Sequence, residues 1–164
     1  MPPTVILEPS SLDLSRRIAD REAIRAFNPQ RFQMEQLDAI VFLDPERKLV
    51  VGYKDVHADE FWARGHFPGK PLLPGVIMCE AAAQLCSYYA MSQHIIAEGQ
   101  IMGFGGMENV RFRAVVKPGD RLVLVSRGDR LHRRQSQFTV QGFVGETMAF
   151  HAEIIGVPLP SGAV

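Results

Sequence analysis

His66 is the only imidazole in a stretch built mostly of glycine, proline, phenylalanine and leucine, and Glu80 is the only carboxylate in the long apolar run that follows. In apolar surroundings a carboxyl group is favoured in its protonated form and an imidazole in its neutral form, so an acid and a base can coexist near neutral pH. The turn Leu73-Pro74-Gly75 leads straight into the apolar run. If that run is a helix, the backbone N–H of Gly75 or Val76 is one of its unpaired first-turn donors, backed by the positive end of the helix dipole. Gln84 stands four residues after Glu80 on the same helical face, where its amide can orient the carboxyl group. Loss of water from a 3-hydroxyacyl thioester needs these parts: a base for the proton on C2, an acid for the hydroxyl on C3, and donors for the charge that builds on the thioester oxygen.

The elements that must position these groups follow from the pattern. Val76 to about Ile96 reads as one long helix, rich in Ala, Met, Leu and Cys, and apolar on nearly every face. Such a helix is buried on nearly every face. Before it, Leu37 to Leu43 and Lys48 to Val56 read as two strands, with Asp-Pro-Glu-Arg as the turn between them. After it come four strand-like runs, Ile101 to Val116, Arg121 to Arg127, Ser136 to Val144 and Thr147 to Val157. Antiparallel strands that curl around a single buried helix make an α+β protein. Residues 1–30 read as an extension with one candidate helix, roughly Leu12 to Phe27, on the stripe Leu14, Ile18, Ile24 and Phe27. Residues 31–158 then form the single domain and 159–164 a flexible tail.

Composition narrows the function. The 164 residues carry 18 Lys+Arg and 18 Asp+Glu, so the chain has no overall bias toward nucleic acid, and 46% hydrophobic content suffices for one core. No stretch approaches the length of a membrane span, and the N-terminus lacks the pattern of a secretory signal. The expected location is the cytoplasm. Cys79 and Cys86 are seven apart in one helix, a rise of about 10 Å, which is too far for a disulfide. They read as small core residues. No ligand set is spaced for a metal, and nothing in the pattern calls for a cofactor.

The segment GHFPGKPLLPGVIMCEAAAQ, Gly65 to Gln84, resembles the active-site segment of the FabZ-type 3-hydroxyacyl-acyl-carrier-protein dehydratases, a branch of the hotdog-fold superfamily. NVRFRAVVKPGDRLVL is similar to that family's strand after the helix and its Pro-Gly-Asp turn, so the resemblance spans roughly Leu37 to Ile155. It implies a hotdog fold, a curled antiparallel sheet around one long helix. It also implies His66 as the base on C2, Glu80 as the acid on the C3 hydroxyl, and Gly75 as a donor to the thioester oxygen. Sites built across a homodimer interface follow from it, within a dimer or a trimer of dimers, with acyl carrier protein delivering the substrate. Glu at position 80, where FabA-type enzymes typically carry Asp, favours the FabZ branch.

Departures from the pattern lie at the entrance. The family's segment like Pro-His-Arg-Tyr-Pro-Phe corresponds here to Pro29-Gln30-Arg31-Phe32-Gln33-Met34, with Phe32 in place of a gating Tyr. Phe32, Phe61, Trp62 and Phe67 are candidates for an acyl tunnel, with core packing the leading reading for Phe61 and Trp62. Arg111, Arg113 and Lys117 are candidates for docking an acidic carrier. Arg127, Arg130, Arg133 and Arg134 read as a solvated hairpin turn. Two alternatives share the fold: a thioesterase, and a non-catalytic acyl-binding or interaction subunit.

Overall fold

A computed structural model describes residues 1–160 and 162 of the chain. Its centre is α2, Gly75–Ser92, in which Ala81, Ala82, Leu85, Cys86 and Ala90 are wholly buried. The small residues on this helix let strands approach its axis closely. At Gly52 the approach is so tight that a Cβ would lie 2.7 Å from the carbonyl oxygen of Ala39 and 3.1 Å from Leu85. The helix ends sooner than the apolar pattern predicts. His94 takes a left-handed φ of 56°, and the N–H of Ile95 returns to the carbonyl of Ala90 at 2.8 Å, which closes the last turn and excludes Ile95 and Ile96.

Around α2 runs one seven-stranded antiparallel sheet in the order β1-β2-β3-β5-β6-β7-β4. Its strands are β1 (Ala19–Asp20), β2 (Ala39–Asp44), β3 (Leu49–Asp55), β4 (Gln100–Phe112), β5 (Arg121–Arg130), β6 (Ser136–Val144) and β7 (Thr147–Pro160). This is the expected α+β hotdog arrangement. The predicted strands all form, with β4 ending at Phe112 rather than at Val116. Here β7 continues through Pro160, paired with Gln100, so Leu159 and Pro160 belong to the sheet. The rest of the expected tail lies outside the described residues except for Gly162.

Alternation along the strands separates two cores. Val50, Leu122, Leu124 and Val140 face α2, whereas Val51, Tyr53, Val123, Val125 and Phe143 face away from it. The second set is covered by Val5, Ile6, Leu7, Leu12 and Leu14 of the N-terminal extension. Gln141, only 1% exposed, fixes that cover. Its Oε1 accepts from the N–H of Ile6 and its Nε2 donates to the carbonyl of Thr4, both at 2.9 Å, so one side chain pairs with the extension as a neighbouring peptide would.

The helix expected over Leu12 to Phe27 does not form as one element. The short β1 and α1 (Arg21–Arg25) are the regular elements within it, and a 3-10 turn at Pro9–Ser11 stands just ahead. The reason is geometric: Leu12 and Leu14 pack on the outer core, while Ala19, Ile24 and Phe27 pack on the core around α2. A straight helix cannot serve both faces. Asp20 caps α1, its Oδ1 accepting from the N–H of Ala23 at 2.9 Å.

Candidate active site

The loop carrying His66 is tied down at both ends. The N–H of His66 donates to Trp62, the N–H of Leu72 to His66, and the N–H of Leu73 to Val116, at 2.9, 2.7 and 2.7 Å. A turn at Phe67 to Lys70, with Gly69 at φ 72°, folds the loop back, and the His66–Phe67 peptide bond is cis. The half-buried imidazole stacks on Phe67 with ring centres 4.1 Å apart. Its Nδ1 lies 2.8 Å from the carbonyl oxygen of Leu72. A carbonyl only accepts, so Nδ1 carries the hydrogen, and in the neutral ring the lone pair lies on Nε2.

Beside this ring α2 begins. Pro74 precedes it with an extended backbone and no side-chain cap, and its carbonyl takes the N–H groups of Ile77 and Met78. The N–H groups of Gly75 and Val76 donate to no group among the described residues. A depression lined by His66, Pro74, Gly75, Val76, Phe112 and Val115 opens there. Gly75 leaves room for Phe112, whose ring would lie 2.6 Å from an added Cβ.

Glu80 faces a different depression, shared with Gln30, Ala83, Ser87, Met102, Phe104 and Ile154. Its orientation is set by Gln84, which is 3% exposed. Gln84 Oε1 accepts from the N–H of Gln36 at 2.9 Å, and Nε2 donates to the carbonyl of Met34 at 2.6 Å and to Glu80 Oε1 at 2.7 Å. The amide cannot be reversed, because reversal would face donor to donor at Gln36 and acceptor to acceptor at Met34. Glu80 Oε1 is therefore an acceptor, and a protonated Glu80 carries its hydrogen on Oε2. The expected pairing of Glu80 with Gln84 forms, and so does the grouping of His66 with Gly75 and Val76. His66 and Glu80 themselves line separate depressions within one chain.

The other expected residues scatter. Phe32, 85% exposed at a left-handed φ of 58°, and Phe61, 54% exposed, line a further hollow with Arg21, Lys54 and His57. Core packing therefore does not describe Phe61. Trp62 is buried and donates from Nε1 to Glu60 Oε2 at 2.9 Å. Arg111 and Arg113 are exposed on either side of His151, whose imidazole is pushed down by burial, then by Arg113 and Arg111. Lys117 is taken by Asp120 at 2.9 Å, and Arg127 by Asp129 at 2.8 Å. Cys79 and Cys86 are free and buried, and burial pushes their thiols up to about 11 and about 12. No helix among the described residues is long and apolar enough to cross a membrane.

Three features escape motif reading. The backbone of Met34 and Gln36 holds Gln84, and no side-chain identity signals it. Gln30 shares the depression of Glu80. Lys54 pairs with Glu60 at 2.8 Å, nearly out of solvent. Burial opposes ionisation of Glu60, but the His57 N–H, the Lys54 ammonium and the Trp62 indole together hold its carboxyl below the ordinary range. Lys54 follows Val50 and Gly52 at the strand's period of two, so an inward lysine needing an anion was the available signal.

Comparison with known proteins accords with this geometry. The model of the FabA-like domain matches residues 28–153. A protein of Moorella thermoacetica named as the 3-hydroxyacyl-[acyl-carrier-protein] dehydratase FabZ is 36% identical over 136 residues, covering 83% of this chain and 94% of that one. The protein of the same name from Chloroflexus aggregans is 37% identical over 134 residues, covering 82% and 92%. Among solved structures, the dehydratase heterocomplex ApeI:P of Xenorhabdus doucetiae superimposes with a TM-score of 0.70 at 14% identity, covering 85% of this chain and 92% of that one.

Proposed function

Because the chain belongs to the FabA-like family and to its FabZ-type dehydratases, we propose that it removes water from 3-hydroxyacyl thioesters on acyl carrier protein, giving trans-2-enoyl thioesters for fatty acid synthesis. The observation that carries the roles of the residues is the pair of hydrogen bonds that orient them. With Leu72 accepting from Nδ1, a neutral His66 has its lone pair on Nε2, and with Gln84 donating to Oε1, Glu80 in its acid form has its hydrogen on Oε2. His66 Nε2 takes the C2 proton while the N–H groups of Gly75 and Val76 receive the thioester oxygen. Glu80 gives its proton to the C3 hydroxyl, the C3–O bond breaks, and water leaves.

The acid and base come from two copies of the chain. Among the described residues β4 pairs with β7 alone and ends the sheet, and along it Phe104, Met107 and Phe112 are each more than 40% exposed. A long apolar edge favours pairing with another strand. Antiparallel pairing of two β4 strands about Glu108 sets Phe104 of one copy opposite Phe112 of the other. Phe104 lies in the depression of Glu80 and Phe112 in that of His66, so this register joins the two half-sites. Arg111 and Arg113, near the His66 depression, supply the charge for an acidic carrier, whereas Lys117 is engaged by Asp120. A cytoplasmic location is in keeping with two free cysteines.

The test is hydration of crotonyl or longer 2-enoyl thioesters, followed by loss of the conjugated absorbance. His66→Ala and Glu80→Gln should each be folded and inactive, and mixing them should restore part of the rate through heterodimers with one intact site. Full activity in either variant refutes the assigned roles. Thiol release without hydration would point instead to a thioesterase.

A further inference from the structure

Gln30, in the segment that follows α1, lines the depression of Glu80 and also an adjoining hollow with Asn28, Glu35 and Gln84. Its side-chain amide makes no hydrogen bond to the described residues, and its Oε1 is buried without a donor. A buried acceptor in that state destabilises the fold unless something donates to it. Among the described polar groups lining this depression, Gln30 Oε1 is the buried oxygen without a partner. Glu80 Oε1 is taken by Gln84, both ends of the Gln84 amide are engaged, and the hydroxyl of Ser87 turns to Met91. Ala83, Met102, Phe104 and Ile154 complete the lining with apolar surface.

On the proposed dehydration, the C3 hydroxyl of the substrate comes to Glu80. Its oxygen receives the proton from Glu80 Oε2, and its own hydrogen then needs an acceptor, for which Gln30 Oε1 is the buried oxygen of this depression that has no partner. We infer that Gln30 Oε1 is that acceptor, which makes Gln30 a specificity residue that reads the C3 hydroxyl and holds the departing water. No electrons or further reactants are required: the hydroxyl keeps its hydrogen, gains the proton of Glu80, and leaves as water hydrogen-bonded to Gln30. In the reverse direction the same contact holds the attacking water. A site built to pair a hydroxyl discriminates strongly against an analogue that lacks it, because the analogue leaves the buried group unpaired.

The inference rests on the dehydratase reading, and the test separates the two. Gln30→Leu removes the acceptor at similar volume, and Gln30→Glu retains an acceptor. With Glu80→Gln as the inactive background, binding of 3-hydroxybutyryl and butyryl pantetheine thioesters is measured by calorimetry. Gln30→Leu should reduce the preference for the hydroxylated ligand by about tenfold or more, leave the butyryl ligand unchanged, and leave the melting temperature equal or higher. In the otherwise wild-type protein it should lower kcat for crotonyl hydration with little change in KM, since crotonyl has no hydroxyl to lose. Gln30→Glu should keep the preference. Unaltered preference in Gln30→Leu, or equal loss of both ligands with a lower melting temperature, overturns the role of Gln30. A wild-type protein that does not hydrate enoyl thioesters overturns the dehydratase reading itself.

Discussion

Replacing Gln84 by Leu separates what this side chain does for the fold from what it does for the chemistry. Leu has similar bulk and suits a helix, so the helix itself should tolerate it. Three hydrogen bonds go with the amide, to the N–H of Gln36, the carbonyl of Met34 and Glu80 Oε1. Two of these partners are backbone groups, of which the N–H of Gln36 is buried in a residue 2% exposed, while Met34 is 46% exposed and its carbonyl can turn to water. Leaving a buried group unpaired costs about 1–3 kcal/mol, so the orphaned N–H of Gln36 should cost roughly that. For a chain of this size that corresponds to a fall in melting temperature of about 2–12 °C, at roughly 2–4 °C per kcal/mol. The third bond acts on rate. Without it Glu80 can rotate and carry its hydrogen on either oxygen, and kcat for enoyl hydration should fall by about 10- to 100-fold, as is usual for a misplaced acid. Calorimetric melting and the absorbance assay are to be run on the same preparation, with Glu80→Gln as a second background. There the melting loss should persist, because the backbone partners are unchanged, while no further rate remains to lose. A Gln84→Leu protein that melts within about 1 °C of wild type would refute the pairing argument, since one orphaned group should lower the melting temperature by about 2 °C or more.

Three further outcomes follow from the same contacts. Gln141→Leu should release residues 4–6 from the sheet, destabilising the protein by about 1–3 kcal/mol; faster hydrogen exchange and proteolysis confined to the N-terminal extension would check it. Phe104→Arg on the free edge of β4 should yield monomers in sedimentation and abolish activity, whereas a dimeric, active variant would contradict the shared site. Glu60 is held below the ordinary carboxylate range, so its contribution to stability is present above the unfolded value near 4.5 and is lost as pH falls through the lower folded value. Glu60→Gln should therefore flatten the acid limb of a stability-against-pH curve; an unchanged limb would count against this assignment.

Much of the architecture was legible because α2 is apolar on nearly all faces and the strands carry β-branched runs between clear turns. The pairing of Glu80 with Gln84 was legible because helical periodicity fixes neighbours four apart. The lead-in was not. Leu14 and Ile24 share a helical stripe on paper, but they serve opposite faces of the sheet, and local periodicity carries no information about which face a residue will meet. The hold of Met34 and Gln36 on Gln84 was equally hidden, since backbone donors and acceptors are the same whatever the residue. The separation of His66 from Glu80 in one chain became visible only in the fold, where Phe112 of β4 lines the depression of His66 and Phe104 that of Glu80. Phe61 looked like core by type, yet its neighbour Trp62 took the buried place and left it at the surface.

The match to the FabA-like domain begins at residue 28, so the extension that covers the outer core lies beyond it. Its leading stretch, which supplies Val5 to Leu14 to the outer core, is held by the side chain of Gln141, whereas β1 pairs with β2 and Ile24 packs in the core around α2. Loss of the residues up to Leu14 would therefore bare the outer core while leaving the registers of β1 to β7 as they are. That leading stretch behaves as a module clipped to the sheet, and from β1 onward the extension is part of the fold itself.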